Sequence, residues 1–80
     1  MKYVYLTRSI AQPAQRYIGI TDDINIRIQH HNNGGSKHTS KYKPWELVTC
    51  VAFKDSEQAH AFEKYLKSGS GRAFANKRFW

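Results

Sequence analysis

Two short runs of alternating residues flank a turn, and that arrangement constrains the fold more than any other feature. Tyr3 to Thr7 is aromatic and β-branched, with Tyr3, Tyr5 and Thr7 on one face and Val4 and Leu6 on the other. Arg16 to Ile20 has the same character, and Gln12-Pro13-Ala14-Gln15 turns the chain between them. So short a connection favours antiparallel pairing, since a parallel crossover consumes a dozen or more residues. Gly19, at the end of the second run, marks a close backbone approach or a bend.

The rest of the chain alternates helix and strand signals. Thr21-Asp22-Asp23 offers side-chain oxygens to free N–H groups, which predicts a helix from about Asp23 to Asn32, stopped by Asn33-Gly34-Gly35. A loop from Gly34 to Pro44 follows, with three lysines and no acid. Trp45 to Phe53 is the longest predicted strand. Asp55-Ser56-Glu57-Gln58 reads as a capping box, and a second helix runs from it to about Lys67. Ser68-Gly69-Ser70-Gly71 is expected to break that helix. The basic segment Arg72 to Trp80 then forms at most a last helical turn that docks Phe74 and a terminal aromatic.

Charge and composition narrow the partners. Against 6 acidic residues stand 13 Lys and Arg, a net charge of +7 on 80 residues. That field draws polyanions, nucleic acid before anionic membrane. A hydrophobic fraction of 40% suits a folded domain rather than a disordered tail. No apolar run approaches the roughly 20 residues needed to span a bilayer. The N-terminus enters a strand pattern at once, which reads as no signal peptide, and a cytoplasmic location is expected. One cysteine excludes an internal disulfide. Cys50, inside the run Leu47 to Phe53, is expected to be a buried small hydrophobe. Together with His30, His31, His38 and His60 it lacks the paired spacing of a structural zinc site.

Glu63 is the most informative single residue. Ala59, Phe62, Glu63 and Leu66 share one helix face, so a carboxylate sits within or beside an apolar stripe. An unpaired buried carboxylate is costly, so a cation belongs there. A lysine or Arg27 would make a structural ion pair, and a divalent metal would make a site. Arg27 and His31, four residues apart, share a helix face where they could clamp a phosphate or simply meet solvent. The strand tyrosines Tyr3, Tyr5 and Tyr17 are packing residues in the simplest reading. The loop residues Lys37, Thr39, Lys41 and Lys43 suit backbone phosphates, with a solvated loop as the competing reading.

Taken in order, these residues resemble the GIY-YIG nuclease family. Tyr3-Val4-Tyr5 and Tyr17-Ile18-Gly19 match its two tyrosine motifs, followed by Arg27, His31 and Glu63 at the matching positions. The stretches Asn32 to Thr39 and Lys43 to Val48 are similar to small single-domain members and to the nuclease subunit of structure-specific resolvases. Tyr3 stands where the first motif names glycine, and Ile20 stands where repair-incision relatives carry lysine.

The resemblance implies one α+β domain over residues 1–80. Its core is a three-stranded antiparallel sheet flanked by helices in β-β-α-β-α order, with the short C-terminal helical segment added. It implies a divalent-metal-dependent endonuclease, using one Mg²⁺ or Mn²⁺ ion, that hydrolyses phosphodiesters in DNA with little sequence specificity in repair or recombination. Tyr5, Tyr17, Arg27 and His31 then carry catalysis and Glu63 holds the metal. Tyr17 is the first choice of base and Tyr5 the second. All five should converge on one concave basic surface, flanked by the Lys37 to Lys43 loop and by Arg72, Asn76 and Lys77. A non-catalytic nucleic-acid-binding module on the same scaffold is the alternative. A partner protein or a second copy would use Phe79 and Trp80, expected to be exposed.

Overall fold

In the computed structural model the described residues are all but Ser36, with the side chain of His38 also outside them. The elements are β1 (Lys2–Ser9), β2 (Arg16–Thr21), α1 (Ile24–Asn32), α2 (Lys37–Ser40), β3 (Trp45–Phe53), α3 (Ser56–Leu66) and α4 (Gly69–Arg78). The three strands form one antiparallel sheet in the order β2-β1-β3. The expected α+β architecture is therefore observed.

β1 is the central strand, and its alternation decides which side chain meets which layer. Val4 and Leu6 join Ala59 and Leu66 of α3 and Ala75 of α4 in the buried core, edged by Ile18, Ile20, Phe53 and Phe62. Tyr5 and Thr7 point to the other face and are also buried. The strand is thus covered on both sides, by α3 and α4 over Val4 and Leu6 and by α1 over Tyr5. A register shift between Leu6 and Thr7 sets Thr7 opposite Leu47, one residue past the regular β3 pairing.

Capping explains the helix starts. The Asp23 carboxylate accepts from the Ile26 N–H at 3.0 Å, and Asp55 accepts from Glu57 N–H at 2.9 Å. At its other end α1 is tied to the sheet by Asn32. Its amide donates to the Trp45 carbonyl at 3.1 Å and its side-chain oxygen accepts from the Trp45 N–H at 2.5 Å. That double bond fixes the rotation of α1 against β3, and with it the direction of His31.

Four expectations are corrected. The Gly34 to Pro44 segment is not all loop, because Lys37–Ser40 forms a single helical turn. α3 ends at Leu66 as expected, but the C-terminal segment is more than a last turn. The Ser68 hydroxyl accepts from the Gly71 N–H at 3.2 Å and caps the ten-residue α4. Glycine is required there, since a Cβ on Gly71 would run into the Tyr65 carbonyl where α3 and α4 meet. The third concerns Cys50, which is exposed rather than buried. β3 is an edge strand, and apolar composition alone does not tell which of its positions a neighbouring layer covers. Last, Phe79 and Trp80 are half-buried against the core, whereas Phe74 is the more exposed aromatic of α4.

Candidate active site

Register brings the two tyrosine motifs together. Tyr5 pairs with Gly19 and Thr7 with Tyr17, so both tyrosine side chains leave the same face of neighbouring strands. Their ring centroids are 6.2 Å apart. His31, from the last turn of α1, completes the group, with its ring 5.9 Å from Tyr5 and edge-on to Tyr17 at 5.0 Å.

His31 is buried and both of its ring nitrogens are engaged. Nε2 is hydrogen-bonded to the Tyr5 hydroxyl at 2.9 Å, and Nδ1 to the Thr39 hydroxyl at 2.8 Å. Thr39 was expected among the phosphate contacts. Instead it is wholly buried, and its carbonyl accepts from the Trp45 indole N–H at 2.7 Å. The α2 turn therefore carries a positioning residue inward while Lys37, Lys41 and Lys43 stay exposed around it. The sequence reading missed this. Its one available signal was a threonine amid lysines, which composition alone assigns to solvent.

The electrostatics distinguish the two tyrosines. Burial pushes the Tyr5 hydroxyl far above the ordinary tyrosine range. Tyr17 and Glu63 add to the rise and Arg27 opposes it. Tyr5 therefore stays a neutral phenol. Burial also lowers the His31 pKa below its ordinary 6.5, with Arg27 and His30 adding to the shift, so the imidazole is neutral at pH 7. Arg27 is itself exposed on α1.

Glu63 belongs to α3, on the far side of the sheet from α1, yet its charge is felt at Tyr5. Its carboxylate accepts from the Lys67 ammonium at 2.9 Å, and Lys67 lines a cavity that also receives Tyr17. Tyr5, Tyr17 and His31 are in contact, and the charges of Arg27 and Glu63 both bear on the Tyr5 hydroxyl.

From the C-terminal helix, Arg72 and Asn76 line the same cavity, whereas Lys77 does not. Arg16, Lys67 and Trp80 line it as well, and the sequence reading named none of them as site residues. Arg16 donates to the Asn76 side-chain oxygen at 2.8 Å and lies 4.7 Å from the Trp80 ring centre. No group of three or more His, Cys, Asp and Glu among the described residues could hold a metal. No helix among them is long and apolar enough to cross a membrane.

A family model described as the GIY-YIG catalytic domain matches residues 1–78. The structure-specific endonuclease subunit SLX1 of Debaryomyces hansenii is 38% identical over 71 residues, covering 80% of this chain and 20% of that protein. A UPF0213 protein of Clostridium perfringens is 35% identical over 68 residues, covering 84% of this chain and 71% of its own length. Another, from Halalkalibacterium halodurans, is 35% identical over 71 residues, covering 88% of the chain and 73% of that protein. The chain spans about a fifth of the length of the SLX1 subunit that it matches.

Proposed function

Because this chain belongs to the GIY-YIG catalytic domain family, we propose that it is a divalent-metal-dependent endonuclease that hydrolyses phosphodiester bonds in DNA. The observation that carries the reading is the Tyr5–Tyr17–His31 cluster, with the opposed charges of Arg27 and Glu63 both felt at the Tyr5 hydroxyl.

Glu63 suits a hard cation. Its side chain is about one-fifth exposed, at 21%, and its carboxylate is held by the flexible ammonium of Lys67, one helical turn on. A carboxylate is the donor that a hard ion such as Mg²⁺ or Mn²⁺ takes while keeping most of its waters. Such an ion, when bound, supplies positive charge at the leaving oxygen. Glu63 cannot serve the ammonium and a metal equally, so Lys67 is then released into the cavity that it lines.

The chain's own residues divide the remaining work. Arg27 orients the phosphate and neutralises a non-bridging oxygen, as a planar donor does well. Tyr17, half-exposed and facing the cavity, takes the proton of the attacking water. Arg16, Lys67 and Arg72 share its cavity. Tyr5 is the wrong base, being a buried phenol already engaged by His31. The Tyr5 and Thr39 hydroxyls engage the two ring nitrogens of His31 and hold its orientation. Tyr5, His31 and Thr39 form a rigid frame that sets where Tyr17 and Arg27 stand.

Labelled linear and branched DNA incubated with Mg²⁺, with Mn²⁺ and with chelator tests the proposal. Metal-dependent strand cleavage supports it. DNA binding without cleavage under any metal would return the chain to the binding-module reading.

A further inference from the structure

The free edge of β2, the end of α3 and the inner face of α4 enclose a cavity of about 380 Å³. Ile18 and the fully buried Leu66 give it an apolar floor. Arg16, Lys67 and Arg72 supply cations, Lys67 being paired with Glu63, and no Asp or Glu among the described residues lines it. Arg16 is not a loose surface charge. It lies over the Trp80 ring at 4.7 Å and donates to Asn76 at 2.8 Å, so the pair forms a flat cationic wall. Asn76 spends its oxygen on Arg16 and leaves its amide N–H₂ available.

Contact with a duplex backbone explains the cations and nothing more. Phosphates need neither an apolar floor nor a hollow of this size, which falls within the range of small-molecule sites. A ligand that is anionic at one end and flat and apolar at the other satisfies every wall. In a nucleic acid that ligand is a nucleotide whose base has left the stack. We propose that this cavity receives one unpaired nucleotide of the DNA strand being cut. Its phosphate lies toward Lys67 and Arg72, and its base lies against Ile18 beside Trp80. The placement of the cut beside Tyr17 rests on the nuclease reading; the affinity for an unpaired base does not. Bulges, flaps and branch points offer such a nucleotide, whereas a continuous duplex must first give up pairing and stacking to provide one.

Three duplexes of equal length decide the matter, bound to the full chain in the presence of chelator. One is continuous, one carries a single unpaired 2-aminopurine, and one carries an abasic nucleotide at that position. The base-bearing duplex should bind about fivefold or more tighter than the abasic one, the fold-change expected from stacking a single base. The 2-aminopurine emission should change on binding, and Trp80→Leu should remove both effects. Equal affinity for the abasic and base-bearing duplexes would overturn the proposal, and this wild-type comparison stands even if Trp80→Leu fails to fold. Cleavage with Mg²⁺ but no base preference would remove this inference and leave the nuclease reading intact. Base preference without cleavage would do the reverse, and failure to bind any of the duplexes would remove both.

Discussion

Tyr5 lies across the backbone of Gly19, its register partner on the neighbouring strand, with no room for a side chain between them. A Cβ on Gly19 would meet the Tyr5 hydroxyl and stand 2.6 Å from the ring carbon Cζ. Gly19→Ala must therefore move a fully buried tyrosine that is bonded to His31. Overpacking of this kind costs about 1–3 kcal/mol. Urea denaturation should show that loss, and cleavage in the folded fraction should fall as well, because the displaced ring is part of the frame that holds the site. An unchanged midpoint would mean that Tyr5 has another place to go.

The two tyrosines should respond differently to loss of the hydroxyl. Tyr17→Phe should cut cleavage in the folded fraction by a factor on the order of 10², since general-base catalysis is worth about that much. Tyr5→Phe leaves a buried His31 nitrogen without its partner, which costs about 1–3 kcal/mol of stability. Its effect on cleavage should be the smaller of the two. The reverse pattern would make Tyr5 the base.

Thr39 offers a test of positioning through His31. Thr39→Val keeps shape and burial but removes the hydroxyl on Nδ1, whereas Thr39→Ser keeps the hydroxyl. Valine should lower cleavage and shift the pH at which the His31 signals titrate by NMR. Serine should restore both. If valine lowers stability alone, with the titration unmoved, Thr39 is only a packing residue.

Acid should destabilise the protein through His31. Its folded pKa is depressed below 6.5, so the unfolded chain takes up the proton first as pH falls. Stability is then complete above pH 6.5 and declines as pH drops through 6.5 toward the folded pKa. Melting temperatures measured from pH 7.5 down to pH 5 should follow that course. A flat profile would show that the ring is not held neutral.

Glu63→Gln separates the metal site from an ion pair. The pair with Lys67 is an i, i+4 contact on a partly exposed face, worth about 0.3–0.5 kcal/mol, so the melting temperature should barely move in either case. Cleavage should collapse by a factor on the order of 10². DNA affinity measured with chelator should hold or rise, because a negative charge leaves a basic cleft. Full activity in the folded variant would sink the metal assignment.

The chain alone determined a good deal. Strand alternation, cap residues and short connections are local properties, so β1, β2, α1, β3 and α3 could be placed within a residue or two. The order of Tyr5, Tyr17, Arg27, His31 and Glu63 pointed to the family, because chemistry that needs those groups keeps their sequence on the fold. Local rules failed where a neighbour outweighed them. The Ser68-Gly69-Ser70-Gly71 run looks like a linker, but Ser68 caps a helix there and Gly71 lets α4 approach the end of α3. Cys50 looks buried, but it lies on an edge strand. Thr39 looks solvated, but the indole and imidazole of Trp45 and His31 draw it inward. That Tyr5 is the buried tyrosine and Tyr17 the partly exposed one was likewise visible only in three dimensions. Burial depends on every layer that covers a side chain, and those layers come from residues far away in the sequence.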